Sequence, residues 1–302
     1  METKVAIAAE WFKASEHPII DSAGKYGAGL SLECIGKALH TLGKKPEDIT
    51  ISVKLGWRRS RNLNPGEEET FEPGAWKDLE YDAMQDISRS GILRCYEEAK
   101  ALLDGYKVDL VSVHDPDEYL ASGGSIDDVL GAYESLFELK ARGEAKAVGI
   151  GSKDWKTIKL LWDRGVRFDW TMFACQPTLL VHPKELLDFV RELKAAGVTL
   201  IDSAVFNGGF LTGSDYLDYR KADPVKDAEA FRFRDNYIAL CKEYGLDPAA
   251  PAVEYAYRLG FDSVALNTSS PKRIMQNAAY ASAKAPEEFW ARIMSWSYEL
   301  EL

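Results

Sequence analysis

Residues 17–54, HPIIDSAGKYGAGLSLECIGKALHTLGKKPEDITISVK, spell out a strand, a helix and a second strand in succession. HPIID (17–21) and ITISVK (49–54) are short runs rich in β-branched residues, each closed by a charged side chain. Between them, Leu30–Leu42 repeats its apolar residues at helical spacing, and Gly43 stands where a helix C-cap takes a left-handed residue. A strand, helix and strand joined this tightly form a right-handed crossover between parallel strands.

The alternation continues along the chain. VDLVSVH (108–114), AKAVGIG (145–151), residues 168–175, VTLID (198–202) and SVALN (263–267) read as further strands. Runs this short and this apolar suit strands covered on both faces. Ser90–Leu103, Ser125–Ala141 and Pro183–Ala196 read as the helices between, the last two ended by Gly143 and Gly197. No GxGxxG opens a helix after a strand, which disfavours a dinucleotide Rossmann sheet and favours an α/β barrel of the TIM type. Such a barrel has eight strands, whereas seven are visible here, and the first helical pattern, Glu2–Ala14, has no strand before it. Residues 58–82 and 207–231 read as long loops at strand C-termini, where barrels shape their site mouths. No linker interrupts the pattern, so residues 1–302 are expected as one domain.

Composition removes several classes of function. With 48 acidic against 37 basic residues and a net charge of −11, the chain is a poor partner for nucleic acid. No apolar run is long enough to span a membrane, and residues 1–10 lack the basic and apolar regions of a signal peptide, so a cytoplasmic protein is expected. Cys34, Cys95, Cys175 and Cys241 lie far apart and read as buried thiols in a reducing compartment. His17, His40, His114 and His182 fall at no zinc-ligand spacing from them, so no metal is expected. Nothing in the spacing specifies an oligomeric state.

Chemistry gathers at the strand ends. Asp21 closes HPIID, with Tyr26 five residues on; Lys54 closes ITISVK; His114 closes VDLVSVH. Parallel barrel strands bring their C-terminal ends to one rim, where active sites form. A lysine ending an apolar run is costly to bury alone, and the acid ending the neighbouring strand is its natural partner.

These residues carry a family resemblance. DSAGKYGAGLSLECIGKAL (21–39) resembles the aldo-keto reductase signature, in which an Asp-Thr-Ala run leads to Tyr-Gly; ISVKLGW (51–57) resembles the family's Lys-bearing strand and LVSVHDPDEY (110–119) its His-bearing strand. The run VHDPDEY (113–119) is similar to the branch that includes L-fucose and D-threo-aldose 1-dehydrogenases. The resemblance implies a (β/α)8 barrel in which hydride passes between a nicotinamide and a carbonyl or alcohol carbon. Tyr26 is then the acid or base at the oxygen, Lys54 favours its phenolate, Asp21 holds Lys54, and His114 orients the substrate.

The same resemblance assigns cofactor contacts. Ser152 and Lys153, in GIGSKDW, stand where the family offers a Ser/Asn pair to the carboxamide, and Gln176 in FACQPT matches its glutamine. Phe206, Asn207 and Gly208, in FNGGF, resemble the loop over the pyrophosphate. NTSSPKRIMQN (267–277) resembles the segment around the adenosine ribose, giving Asn267, Thr268, Ser269, Arg273 and Asn277, with Ser270 and Pro271 as a helix start. Asn267 replaces the lysine that grips the 2′-phosphate of NADP, which favours NAD with NADP as the alternative.

Trp57 and Trp76, beside Phe71 and Tyr81, would suit a sugar ring or form the loop's own small core. Arg58, Arg59 and Arg61 read as a solvated charge run, with attraction of an anionic substrate as the alternative. Family members begin with a hairpin and a first barrel strand, which this chain is expected to lack, either because the true start lies upstream or because the strand is lost, the latter impairing cofactor binding. The leading expectation is an aldose 1-dehydrogenase making a lactone from a free sugar. An NADPH-dependent aldehyde reductase and a barrel that kept cofactor binding without turnover are the alternatives.

Overall fold

The computed structural model of the chain describes residues 1–296, and its chain divides into two compact units. The first comprises residues 1–152, 156–170 and 269–274; the second comprises 153–155, 171–268 and 275–296.

In the first unit, helix α1 (Glu2–Ala14) precedes strand β1 (Ile19–Ala23), α2 (Leu30–Thr41) and β2 (Thr50–Leu55). A hairpin follows, β3 (Trp57–Asn62) against β4 (Tyr81–Gln85), and then α3 (Arg89–Leu102) and β5 (Leu110–His114). The unit continues through α4 (Pro116–Ala121), α5 (Ile126–Ala141), β6 (Ala147–Ser152) and α6 (Trp155–Asp163). β1, β2, β5 and β6 pair in parallel, neighbour to neighbour. Ile51, Val53, Val111, Val113, Val148 and Ile150 are fully buried, as are Leu32, Leu39, Ile92 and Leu136 on the helices. Each such side chain contributes about 1.5–3 kcal/mol relative to an exposed one.

The second unit holds β7 (Trp170–Ala174), α7 (Lys184–Ala195) and β8 (Thr199–Ser203), then a small hairpin of β9 (Tyr216–Leu217) and β10 (Arg220–Lys221). It closes with α8 (Ala228–Glu243), α9 (Ala249–Arg258), β11 (Ser263–Ala265), α10 (Ile274–Tyr280) and α11 (Glu287–Met294). Its core gathers Phe210, Phe233, Tyr237, Tyr255, Phe289 and Trp290. Within this unit β7, β8 and β11 follow one another in the sheet, with β8 and β11 paired in parallel. Among the described residues no strand precedes α1, and no helix is long and apolar enough to cross a membrane.

The strands expected from the apolar runs are all present, and Gly43, Gly143 and Gly197 adopt the left-handed conformation their cap positions required. The two expected loops differ from the reading. Residues 58–82 contain most of the β3–β4 hairpin, and residues 207–231 contain the β9–β10 hairpin and the start of α8. β3, WRRSRN, shows no apolar alternation because ion pairs hold it. Arg58 donates to Asp86 (2.6 Å), Arg59 to Glu33 (2.6 Å) and to the Ala28 carbonyl (2.8 Å), and Arg61 pairs with Glu67 (2.7 Å). Arg58 and Arg59 are therefore tied into the hairpin rather than solvated, whereas Arg61 is exposed.

Candidate active site

Register explains how the first unit collects its polar residues. Asp21 sits opposite Ser52, Ala23 opposite Lys54, and Lys54 opposite Ser112. Residues paired across neighbouring strands share a face, as do residues two apart along a strand. Asp21, Ser52, Lys54, Ser112 and His114 therefore project from one face, while Ile51, Val53, Val111 and Val113 project from the other.

On that face Lys54 is 5% exposed, and its ammonium donates to Asp21. Ser52 donates to the other Asp21 oxygen at 2.8 Å, so the carboxylate is held from two sides. Burial pushes the Lys54 ammonium toward losing its proton, but the Asp21 charge and the Tyr26 hydroxyl outweigh this and hold it above the usual lysine range. Its Nζ lies 5.1 Å from the centroid of the Tyr26 ring, and the His114 ring meets the same tyrosine edge-on at 5.4 Å. His114 is 3% exposed, with Nε2 3.5 Å from Asp115. All four expected catalytic residues thus converge.

The turn that delivers Tyr26 is local in origin. Gly27, Ala28 and Gly29 are consecutive left-handed residues that reverse the chain into α2. Gly24 packs so closely that a Cβ there would lie 2.3 Å from the Trp57 carbonyl oxygen, so any side chain would move the turn. Trp57 is buried against Ala28, Ala83, Phe71 and Tyr81, the small core expected as its alternative. Trp76 donates to Glu72 (2.9 Å), and its ring lies 3.5 Å from the place a Gly27 Cβ would take. Ser152, also in this unit, donates to Asp117 at 2.6 Å.

The second unit carries most of the expected cofactor residues. Lys153 lies 5.1 Å over the Tyr219 ring, and Gln176 leads into a cis peptide bond with Pro177. Phe206 is partly buried against two clusters of the core. Asn207 is fully buried and donates to the Cys175 carbonyl (3.2 Å) and to Asp218 (3.0 Å), while its Oδ1 has no protein partner. Its side chain braces the β8 loop instead of reaching outward. Gly208 is exposed at φ 72°, with a would-be Cβ only 3.1 Å from the Asp218 nitrogen, so backbone alone is presented there. Burial pushes the Cys175 thiol far up, with Asp218 adding to the effect, so it is no nucleophile.

Along the segment 267–277, Asn267, Ser269 and Arg273 are exposed and Thr268 and Asn277 half-buried. Ser270 and Pro271 open a short 3-10 turn that runs into α10. Gln276 is occupied by Asp247 at 3.0 Å. The exposed backbone at Gly208 suits the close approach of a dinucleotide's phosphates. In the second unit, Gln176, Phe206, Gly208, Asn267 and Asn277 are the residues that would hold it.

Comparison with known proteins bears on the family. Residues 1–297 match the aldo/keto reductase family. The chain belongs to that family. It is similar to a pyridoxal 4-dehydrogenase of Microbacterium luteolum, 28% identical with 91% of this chain and 82% of that one covered. It is also similar to a D-threo-aldose 1-dehydrogenase of a Pseudomonas species, 29% identical over 90% and 82%. Among solved structures it resembles a glycerol dehydrogenase from Gluconobacter oxydans, with a TM-score of 0.71 at 18% identity, covering 97% of this chain and 84% of that one. An aldo-keto reductase from Bacillus halodurans in its holo form gives a TM-score of 0.68 at 21% identity, covering 96% and 85%. The fold is therefore the TIM-type barrel of aldo-keto reductases, and the chain is an NAD(P)-dependent oxidoreductase.

Sequence reasoning passed over Ser52, Lys25 and Glu118. Ser52 was accessible to it, since I-S-V-K places Ser52 and Lys54 on one face by strand alternation. The partners of Lys25 lie 47 and 93 residues away, beyond any local pattern.

Proposed function

We propose that this aldo-keto reductase oxidises the anomeric C–OH of a free aldose to the lactone, using NAD. The observation that carries the reading is the chain from Asp21 through Lys54 to the Tyr26 hydroxyl, with His114 against the same ring. A bound nicotinamide supplies the acceptor for the hydride leaving the anomeric carbon. Tyr26 takes the hydroxyl proton. The fixed charge of Lys54 stabilises the phenolate form, Asp21 keeps Lys54 charged and in place, and His114 orients the substrate oxygen.

A free aldose and pyridoxal share one chemical feature: an aldehyde that closes with a neighbouring hydroxyl into a cyclic hemiacetal. Similarity to an aldose 1-dehydrogenase and to a pyridoxal 4-dehydrogenase supports the hemiacetal C–OH as the reacting group. We assign Trp76 to the substrate mouth beside Tyr26, with Trp57 behind it. Both units are read as one catalytic domain because one family match spans them. NAD is preferred over NADP because Asn267 offers no cation to a 2′-phosphate. The thiols of Cys34, Cys95, Cys175 and Cys241 form no disulfide, in keeping with a cytoplasmic place, and the aldose substrate would put the reaction in carbohydrate metabolism.

The test is to incubate the protein with NAD⁺ or NADP⁺ and a panel of aldoses and pyridoxal, following absorbance of the reduced nicotinamide. Lactone formation abolished in Tyr26→Phe supports the reading. Nucleotide binding without turnover on any hemiacetal or aldehyde overturns it.

A further inference from the structure

Next to Tyr26 in sequence is a lysine whose burial the proposed reaction does not explain. The Lys25 side chain is 7% exposed. Its Nζ lies 2.8 Å from Glu118 and 3.2 Å from Glu72, and 5.0 Å over the Trp57 ring. A buried ammonium is expensive unless its partners are well placed. Here one ammonium faces two carboxylates, each one-third exposed.

The three groups come from three separate segments. Lys25 belongs to the turn after β1 that carries Tyr26. Glu118 belongs to α4, four residues beyond His114. Glu72 lies between β3 and β4 and also accepts the Trp76 indole N–H at 2.9 Å. The Trp76 backbone N–H is held in turn by Glu69 at 3.1 Å, and Glu69 is itself buried. Residues 69–76 are thus gathered around Glu72 and Trp76, and the Trp76 ring rests on the turn at Gly27. Take Lys25 away, and the ion pairs that tie Glu72 and Glu118 to this turn are both lost.

We propose that Lys25 is a positioning residue, a buried ammonium latch that fixes residues 69–76 against the turn bearing Tyr26 and thereby sets the enzyme's affinity for its substrate. This rests on the reading of Tyr26 as the group at the reacting oxygen. Burial lowers the tendency of Lys25 to stay protonated, but Glu118 and then Glu72 outweigh it and hold the ammonium above the usual lysine range. The latch therefore stays charged throughout the working pH range.

The experiment compares Lys25→Met, Lys25→Arg, Glu72→Gln and the double variant Lys25→Met/Glu72→Gln in the full chain. Hydrogen exchange of residues 69–76 and of β1, β2 and β5 is read beside KM and kcat for the best aldose with NAD⁺. In Lys25→Met, exchange over 69–76 rises about tenfold and KM rises by a similar factor, with protection of the three strands retained. Lys25→Arg restores most of both, and the double variant is no worse than Lys25→Met because the two changes break one interaction. Unchanged exchange and KM in Lys25→Met, or additive losses in the double variant, overturn the proposal. Should Lys25→Met fail to fold, Glu72→Gln decides: faster exchange over 69–76 with intact strands supports the latch, and no change overturns it. A wild-type protein inactive on every aldose overturns the proposed reaction, and the exchange data then decide the latch alone.

Discussion

Lys54 stands opposite Ala23 in the β1–β2 ladder, yet its ammonium is bonded to Asp21, two residues back along the neighbouring strand. The side chain reaches diagonally across one face, and Ser52, directly opposite Asp21, holds the carboxylate from the other side. The pair is unequal: the Lys54 side chain is 6% exposed and that of Asp21 20%.

That inequality predicts an asymmetric response. Asp21→Asn strands a buried ammonium and should cost about 3–5 kcal/mol, whereas Lys54→Met leaves a carboxylate with water access and should cost less. Chemical denaturation measures both. Because Lys54 is held above its ordinary value, its contribution is fully present below about pH 10, the unfolded lysine value, and fades as pH climbs through the folded value. Equal losses for the two variants would refute the asymmetry.

Tyr26→Phe removes the hydroxyl and leaves the ring against His114. Turnover should fall by roughly 10²–10⁴-fold, the usual worth of a positioned acid or base. Nucleotide affinity, measured by quenching of tryptophan fluorescence, should not move. A variant retaining most of the wild-type kcat would exclude Tyr26 as the proton-transfer group.

Asp202 predicts a pH dependence of stability. It is fully buried at the end of β8, with one oxygen accepting the Ser203 N–H and the other unpartnered, and burial holds its carboxyl well above the usual range. Below the unfolded value both states are protonated and there is no penalty. As pH rises past that value the unfolded chain ionises while the folded one does not, so wild-type stability declines until the folded value is reached. Asp202→Asn removes this slope. Its stability relative to wild type should rise with pH, by about 1.4 kcal/mol for each unit separating the folded and unfolded values. Parallel pH profiles would contradict the buried, protonated carboxyl.

Asn267 is exposed and precedes the turn at Pro271. Restoring a cation with Asn267→Lys should shift the NADP⁺/NAD⁺ ratio of kcat/KM toward NADP⁺ by roughly tenfold, in line with a charge-assisted contact of about 1.5 kcal/mol. An unchanged ratio would show that this position does not read the 2′-phosphate.

Much of the candidate site was legible because its information is local. A charged residue closing an apolar run marks a strand, and Asp21, Lys54 and His114 carry that mark without reference to partners, although β1 runs on to Ala23 and β2 to Leu55. The β3–β4 hairpin was not legible, since WRRSRN has neither apolar alternation nor a tight-turn signal. It is held by Asp86, Glu33 and Glu67, each distant or out of pattern in sequence. Asn207 belongs to the loop that resembles the one over the pyrophosphate, and its bonds to Cys175 and Asp218, which turn its side chain inward, were beyond any local pattern.

By itself the sequence determined the alternation of strands and helices, the caps at Gly43, Gly143 and Gly197, and which strands carry the charged residues, because periodicity and chain reversal depend on near neighbours. Only the tertiary structure decided that Asp21 and Ser52 share one carboxylate contact, that the arginines of β3 are neutralised, and that Lys25 meets Glu118 across 93 residues. Those pairings depend on strand register and on loops folding back. A buried charge accepts whichever partner the fold brings within reach, and no local pattern names that partner in advance.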